Sequence, residues 1–281
     1  MSTFAIEHIT QPAILVANLD EGMDWLHAAF GIYPSERMRI TNAGIDNAVY
    51  PFRNLANLEL IYPYKPESAA GRLLQRTGPG WHMLTVDLVK APFEKLTTAA
   101  DSIGLRIVAR AAGPNPSWQF HPKDTHGVLF YTSDRDDHDD LSPWVGHRWR
   151  DYIPTNCRVV QGIAGVSLTV DDIEAARETY MKFGLTFREL TDRDDLLLEA
   201  TTARGTVLQL RKGRSPESDT YRLCIQRGPG LYHLIWNCDD LISARRRLEA
   251  AGGKVARETP DGFWTVPGST LGVTMEFRHA K

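Results

Sequence analysis

Two stretches of the sequence, NLELIYPYKPES (57–68) and RTGPGWHMLTVDL (76–88), occur a second time in altered form. The later versions read TVLQLRKGRSPES (206–218) and QRGPGLYHLIWNCDDL (226–241). The stretches of the first pair share a short apolar run followed by Pro-Glu-Ser. Those of the second pair share Gly-Pro-Gly followed by another apolar run. An internal repeat of this size predicts that the chain contains two structurally equivalent halves.

The repeat extends upstream and fixes the correspondence between the halves. Glu59 corresponds to Gln209 at an offset of 150 residues. The segment QPAILVANLDEGMDWLHAAFGI (11–32) corresponds to GVSLTVDDIEAARETYMKFGL (165–185) at an offset of 154. We therefore predict a first domain over 1–133, a linker over 134–161 and a second domain over 162–281.

Each half is itself doubled. A short apolar strand, a polar turn and an amphipathic helix ending near glycine occur four times, followed each time by short runs of β-forming residues. Asn18 with Glu21, and Asp171 with Glu174, have the spacing of a capping box at a helix start. The sequence predicts an α+β fold of four βαβββ modules. The four helices are expected near 19–30, 91–103, 173–183 and 241–251.

Composition excludes several classes of function. The 281 residues carry 32 Lys and Arg against 35 Asp and Glu, a net charge of −3, so no basic surface for nucleic acid is expected. No apolar run reaches the roughly 18 residues of a membrane span, and the start MSTFAIEHIT does not have the pattern of a signal peptide. The three cysteines, Cys157, Cys224 and Cys238, imply no disulfide framework. We expect a cytoplasmic protein with a small-molecule partner, and a homodimer is compatible with the sequence.

Several motifs identify a family resemblance. NLELIYP, GPGWH and FHPKDTHGVLFY in the first half, with GPGLYHLIWNCDDL and LGVTMEF in the second, resemble the vicinal oxygen chelate superfamily, and in particular a tandem of epimerase-like halves. This superfamily includes glyoxalase I, methylmalonyl-CoA epimerase, bleomycin resistance proteins and extradiol dioxygenases. The resemblance implies that pairs of modules form cups, that is, two glyoxalase-like domains. It also implies a divalent metal at the floor of a cup, held by side chains on four strand positions.

The resemblance places four candidate positions in each half. In the second half they are Gly165, Gln209, His233 and Glu276, of which glycine has no side chain to offer. The corresponding residues of the first half are Gln11, Glu59, Met83 (or His82 one residue away) and Tyr131. A methionine thioether is a poor ligand for a hard divalent ion, so neither half is complete by itself.

A site that takes two ligands from each half resolves this difficulty. The resemblance then implies the metal ligands Gln11, Glu59, His233 and Glu276, with Gln209 as a weaker candidate, and leaves a second, inactive set. Sites within the halves and sites across them remain alternatives. One divalent ion (Zn, Ni, Mn, Co or Fe) is implied, and a protein without metal is the other option. Glu276, Glu59 and His233 are the candidate catalytic residues.

Aromatic and polar residues near these positions are candidates for binding substrate. With seven tryptophans in the chain, a bulky substrate is favoured over a small hydrophilic one. His121 and Lys123, in the FHPKDTHG segment, are candidates for holding an anionic group. The full set of substrate-binding candidates is Trp81, His82, Trp118, Phe120, His121, Lys123, Tyr131, Tyr232, Trp236 and Trp264.

Three functions are compatible with this pattern. We favour a metal-assisted isomerase or lyase of the glyoxalase and epimerase type, acting on a bulky substrate with a carbonyl group or an aromatic ring. The first alternative is a metal-free protein of the bleomycin-resistance type, which binds a small molecule without turning it over. The second is an extradiol-type dioxygenase, although such an enzyme needs two histidines and a carboxylate in the second half, where only His233 and Glu276 are found.

Overall fold

The computed structural model describes residues 5–88, 98, 100–102, 104–111, 117–133 and 137–280. The strands of the first half are β1 Ile6–Leu15, β2 Glu36–Ile40, β3 Ile45–Pro51, β4 Asn57–Pro63, β5 Gly80–Leu88, β6 Ile107–Ala111, β7 Ser117–Phe120 and β8 Phe130–Ser133. Those of the second half are β9 Gly162–Thr169, β10 Phe187–Leu190, β11 Asp195–Thr201, β12 Val207–Gly213, β13 Gly230–Cys238, β14 Val255–Thr259, β15 Gly262–Thr265 and β16 Thr274–His279.

The strands form two sheets with the same order. The first is β2-β3-β4-β1-β5-β8-β7-β6, and the second is β10-β11-β12-β9-β13-β16-β15-β14. In both sheets the first strand of a module lies parallel to its last strand, as β1 does to β4 and β13 to β16. The prediction of an α+β fold built from four repeated modules is confirmed.

The described helices are α1 Leu19–Phe30, α2 Ala69–Thr77, α3 Ser142–Val145, α4 Ile153–Asn156, α5 Ile173–Lys182, α6 Asp219–Arg227 and α7 Leu241–Ala250. Three of the described helices, α1, α5 and α7, begin at the predicted positions, and the other four were not predicted. The helix predicted near 91–103 lies largely outside the described residues. None of the described helices combines the length and the apolar character that crossing a membrane requires.

The helix starts show one correct capping prediction and one that is wrong by a residue. Asn18 caps α1, because its Oδ1 accepts hydrogen bonds from the backbone N–H groups of Asp20 and Glu21. The cap of α5 is Asp172, which accepts from the N–H groups of Glu174 and Ala175. Asp171, the predicted cap, instead accepts a hydrogen bond from the N–H group of Asp172. Two adjacent aspartates can both serve as caps, and backbone geometry selects between them.

The fold divides into two compact units, and each unit contains segments from both halves of the chain. Unit 1 contains residues 1–10, 83–138 and 165–232, and unit 2 contains 11–82, 139–164 and 233–281. The units therefore do not coincide with the halves 1–133 and 162–281. Unit 2 joins the first module of the chain to the last, and unit 1 joins the second module to the third.

An aromatic cluster in unit 2 shows how its two modules pack. Phe30 in α1 lies 5.8 Å from Trp236 and 5.7 Å from Phe277, measured between ring centroids. Phe52 meets Trp236 edge-on at 5.3 Å. All four side chains are fully buried, and residues of this size dominate the energy of a core. The first and last modules therefore share one hydrophobic core.

Residues 139–161 of the linker belong to unit 2. Leu141, Val145 and Trp149 pack against Val49 of β3, with the partly buried Leu55, Trp144 and Ile153 around them. Asn156 holds the segment in place through three hydrogen bonds. Its Oδ1 accepts from the backbone N–H of Tyr33, and its Nδ2 donates to the carbonyl oxygens of Tyr33 and Pro51. We call residues 141–156 the strap.

Candidate functional site

Two polar residues of the first module lie on the same face of the sheet in unit 2. Strands β1 and β4 are parallel, with Ala13 opposite Glu59. Side chains alternate between faces along a strand, so Gln11, two residues before Ala13, points to the same side as Glu59. Both residues are buried, with 4% and 5% of their surfaces exposed. The opposite face carries Leu58 and Leu60, and Leu60 contacts α1 beside Gly22. We call the face that carries Glu59 the polar face.

Among the described residues, the carboxyl group of Glu59 has one hydrogen-bond partner. Its Oε1 accepts a hydrogen bond of 2.7 Å from Nδ2 of Asn47. Its Oε2 is buried and has no hydrogen-bond partner within the part of the chain that is described. Burial raises the pKa of Glu59 to about 7, although the bond from Asn47 acts in the opposite direction. A carboxyl group of this kind gains or loses a proton near neutral pH.

The last module supplies a second polar pair to unit 2. His233 lies opposite Thr274, and Glu276 lies opposite Ile235, so His233 and Glu276 are diagonal neighbours on one face. The Nδ1 atom of His233 and the Oε2 atom of Glu276 are 3.2 Å apart. Such a contact fixes the orientation and tautomer of an imidazole.

Trp264 completes this end of unit 2. Its ring centroid lies 4.3 Å from that of His233, and it sits opposite Glu276 in the adjacent strand. The guanidinium of Arg257 lies 4.7 Å from the centre of the Trp264 ring. The predicted substrate-binding residue Trp264 is thus next to two of the predicted catalytic residues.

Gln11, Glu59, His233 and Glu276 all belong to unit 2, the arrangement expected if ligands come from both halves. The two pairs nevertheless keep separate partners, since Glu59 is bonded to Asn47 and Glu276 to His233. Across the described residues, no three His, Cys, Asp or Glu side chains are grouped so that they could hold a metal ion. A metal bound by this set would require the carboxylates to turn away from their present partners.

In unit 1, Gln209 occupies the position equivalent to Glu59 and is part of a hydrogen-bond network. Gln209 donates to Glu199 and accepts from Arg211, with distances of 2.9 and 3.0 Å. Arg211, in turn, forms ion pairs with Asp192 and Asp195. Both ends of the Gln209 amide are used within the protein, whereas one oxygen of Glu59 has no partner there. Gln209 could act as a ligand only after these bonds were broken.

The remaining three positions of unit 1 hold Tyr131, Met83 and Gly165. Thr85 lies opposite Tyr131, as Ile235 lies opposite Glu276, so Tyr131 occupies the place of Glu276. The same register makes Met83 the counterpart of His233. Gly165 lies opposite Val207, and a Cβ atom at Gly165 would be 2.0 Å from the Val207 carbonyl oxygen. No side chain fits at residue 165 with this backbone.

We expect Gly165→Ala to destabilise the protein by about 1–3 kcal/mol, because the backbone has to move to accept a Cβ atom. Urea denaturation followed by circular dichroism measures the change. Gly268→Ala is the matched control, since a Cβ atom at that glycine has no neighbour within 4 Å. Equal midpoints for the two variants would contradict the close contact with Val207.

Several predicted substrate-binding residues lie on the faces that pack in the cores. Trp236 is fully buried against Phe30 and Phe52, and alternation along β13 puts it on the face opposite His233. Trp118 and Phe120 are 2% and 1% exposed, and Phe120 meets Phe183 edge-on. These three aromatic residues are therefore part of the cores.

The other candidates are divided between the units. Tyr131 and Tyr232 lie in unit 1, and burial raises the pKa of Tyr232 to about 12. Trp81 and His82 lie in unit 2 and are partly exposed, and burial of its ring lowers the pKa of His82 to about 4. His121 and Lys123 lie together in unit 1, where Nδ1 of His121 accepts a hydrogen bond from the Lys123 backbone.

Sequence reasoning missed three residues of the polar face. Asn47 bonds Glu59, Asn57 precedes Glu59 by two residues, and Val49 lies opposite Glu59 and under the strap. A signal for the two asparagines is present in the sequence, because their equivalents in the second half are the apolar Leu197 and Val207. A polar residue in one copy of a repeat and an apolar residue at the same position in the other indicate that the two copies have different roles.

The raised pKa of Glu59 predicts a specific dependence of stability on pH. The folded protein favours the neutral carboxyl, so this contribution to stability is complete below pH 4.5 and is lost as pH rises through 7. In chelator-treated protein, wild type should therefore lose more than about 1 kcal/mol relative to Glu59→Gln between pH 4.5 and 8. Thermal denaturation of both proteins across this range measures the difference. Parallel pH profiles would contradict the burial of a titrating carboxyl.

The comparison with protein families identifies the fold of the second half. Residues 162–267 match the family model described as the Glyoxalase/Bleomycin resistance protein/Dioxygenase superfamily. The second half is a member of this glyoxalase superfamily. The first half repeats its strand order, so the resemblance inferred from the sequence motifs is confirmed. A comparison with curated proteins finds no match.

One solved structure shows the same fold over nearly the whole chain, and others resemble about half of it. A substituted variant of 4-hydroxymandelate synthase from Streptomyces coelicolor is 15% identical, with a TM-score of 0.71 over 99% of this chain and 94% of its own. Methylmalonyl-CoA epimerase from Mycobacterium tuberculosis is 24% identical over 49% of this chain and 93% of its own, with a TM-score of 0.44. The epimerase from Streptomyces coelicolor is 21% identical over 47% of this chain and 96% of its own, with a TM-score of 0.42.

Proposed function

We propose that the protein is an isomerase or lyase that moves a proton next to a carbonyl group of a bulky substrate, with metal assistance. The reaction would take place in unit 2. The observation that carries this proposal is the buried Glu59 carboxyl, with one oxygen held by Asn47 and the other without a protein partner.

Glu59 has the properties of a general base. A carboxylate whose pKa lies near the working pH can accept a proton from carbon and later return it. Here the free oxygen, Oε2, would take the proton from the carbon next to the carbonyl, and the electron pair of the broken C–H bond would move toward the carbonyl oxygen. Return of the proton to the same or a neighbouring carbon completes an isomerisation.

The second polar pair would bind the oxygen side of the substrate. His233 and Glu276 are hydrogen-bonded, and the Trp264 ring packs against His233. As ligands of a divalent metal, His233 and Glu276 would bring a positive charge to the substrate oxygen that gains negative charge. The flat face of an aromatic ring favours an apolar or aromatic portion of the substrate.

The donor set of unit 2 suits a divalent metal by its chemistry. The orphaned Oε2 of Glu59, the Glu276 carboxylate, the His233 imidazole and the Gln11 amide oxygen are ligands that Zn, Ni, Mn, Co and Fe accept. When bound, such an ion supplies Lewis-acid polarisation of a substrate oxygen.

Metal content tests the proposal directly. Protein equilibrated with Zn²⁺ and then dialysed should retain close to one ion per chain, and Glu59→Gln and Glu276→Gln should each lose most of it. Gln209→Met, at the equivalent position of the second half, should retain the ion. Elemental analysis gives the ratio. Loss of zinc in Gln209→Met but not in Glu59→Gln would place the metal in the wrong unit for this proposal.

A metal-free binding protein is the second candidate. It is favoured by the separate hydrogen bonds of the candidate ligands, Glu59 with Asn47 and Glu276 with His233, and by the lack of three grouped His, Cys, Asp or Glu side chains among the described residues. For this function, wild type and both glutamate variants would retain equally little zinc, while a bulky ligand would still bind unit 2 without reacting. The zinc measurement therefore separates the two candidates.

A further inference from the structure

Asn57, the first residue of β4, is buried in an unusual way. Its side chain has no exposed surface, and neither Nδ2 nor Oδ1 has a hydrogen-bond partner among the residues described here. A buried amide without partners is costly, because both groups lose their hydrogen bonds to water. A hydrogen-bond donor, Nδ2, and an acceptor, Oδ1, are therefore unused by the described residues at this position.

The position of Asn57 is beside the proposed base. Asn57 and Glu59 are two residues apart in one strand, so their side chains lie on the same face of the sheet. Gln11, two residues before Ala13 in the parallel neighbour β1, lies on this face as well. The Asn57 amide is thus on the polar face that carries Glu59 and Gln11.

The second half provides an internal comparison. The residue equivalent to Asn57 is Val207, which lies opposite Gly165 and is 5% exposed. An apolar side chain therefore satisfies this position in the same fold. The asparagine in the first half is not required to build the strand.

A second asparagine shows how this protein satisfies a structural amide. Asn156 in the strap is also fully buried, and its amide makes three hydrogen bonds to the backbone of Tyr33 and Pro51. Both polar atoms of Asn156 are used. Asn57 has the same burial and none of these bonds among the described residues.

We propose that Asn57 is a ligand-binding residue that determines specificity, donating through Nδ2 to a substrate oxygen and accepting through Oδ1 from a substrate hydroxyl. This inference rests on the proposed site in unit 2 and narrows its substrate class. A ligand with a hydroxyl group beside its carbonyl satisfies both atoms of the amide. A ligand with an ether at that place leaves Oδ1 buried without a donor, and a site discriminates strongly against such a loss.

Two small aromatic probes test this inference. Wild-type protein should bind 2-hydroxyacetophenone at least about tenfold more tightly than 2-methoxyacetophenone, which retains the oxygens and lacks the donor. In Asn57→Leu the ratio should fall to about one. Isothermal titration calorimetry, run with Zn²⁺-equilibrated and with chelator-treated protein, gives the four dissociation constants for each variant.

Thermal denaturation distinguishes a binding role from a structural one. Asn57→Leu should melt at the wild-type temperature or above it, because it removes an unsatisfied buried group. Asn156→Leu, the matched control, should melt at a lower temperature and keep the wild-type preference for the hydroxyl compound. A lowered melting temperature in Asn57→Leu, as expected if an internal water satisfies the amide, would overturn the proposal.

The binding measurements also test the proposed role of Asn57. An unchanged ratio in Asn57→Leu, or failure of wild type to bind either probe, would overturn the inference. If wild type binds no Zn²⁺ but prefers the hydroxyl compound through Asn57, the metal-assisted function fails and the role of Asn57 stands.

Discussion

Glu59→Gln is expected to slow proton exchange on a bound substrate by roughly 10²–10⁴-fold, the usual contribution of a positioned general base. Glutamine keeps the size of the side chain and its hydrogen-bonding capacity toward Asn47, but it cannot accept a proton from carbon. The effect should therefore appear in the rate and leave the fold intact. Exchange of the protons next to the carbonyl of 2-hydroxyacetophenone in D₂O, followed by ¹H NMR, measures it.

The matched control for this experiment is Gln209→Met in the second half. Gln209 occupies the position equivalent to Glu59 and is bonded within the network of Glu199 and Arg211. Its replacement should leave the exchange rate of the folded protein within about twofold of wild type, since no role in proton transfer is assigned to it. Equal rates in wild type and Glu59→Gln would remove Glu59 as the base.

Trp236→Ala is expected to destabilise the protein by about 3–5 kcal/mol, the cost of truncating a large buried aromatic residue. Trp236 contacts Phe30 and Phe52, which belong to the first module, while Trp236 itself belongs to the last. The cavity would thus open in the core that joins modules from opposite ends of the chain. Urea denaturation monitored by circular dichroism gives the change in unfolding free energy.

Ile225→Ala controls for the general effect of shortening a hydrophobic side chain. Ile225 lies on α6 with 72% of its surface exposed, so its truncation should change stability by less than about 0.5 kcal/mol. Similar midpoints for Trp236→Ala and Ile225→Ala would contradict the shared core of unit 2.

The fold was predictable because the sequence repeats and its signals agree with one another. The amphipathic patterns of α1, α5 and α7 and the asparagine cap of α1 locate the helices within a residue or two. Helices α2 and α6 were missed, because each is short and follows a Pro-Glu-Ser turn that reads as a loop. Their starts are capped by Ser68 and Ser218.

The site was harder to predict because it depends on which face of a strand a side chain occupies. Trp236 and His233 are three residues apart and point to opposite faces, so aromatic character alone assigned Trp236 to a pocket. Asn57 was overlooked because it is distinguished by the hydrogen bonds that its side chain lacks, and a sequence does not show which hydrogen bonds form. Trp264 lies beside His233, and the two are on strands of one module.

The exchange of modules has a consequence for how such a chain can change by mutation. Gln209 and Gly165 of the second half serve structure, the first through its hydrogen bonds to Glu199 and Arg211 and the second through a close backbone contact. Glu59 and Asn57 of the first half retain buried polar atoms without partners among the described residues. Because each compact unit draws on both halves, a single half contains only one module of each unit and cannot complete either unit within one chain. Loss of either copy would therefore remove part of both units at once.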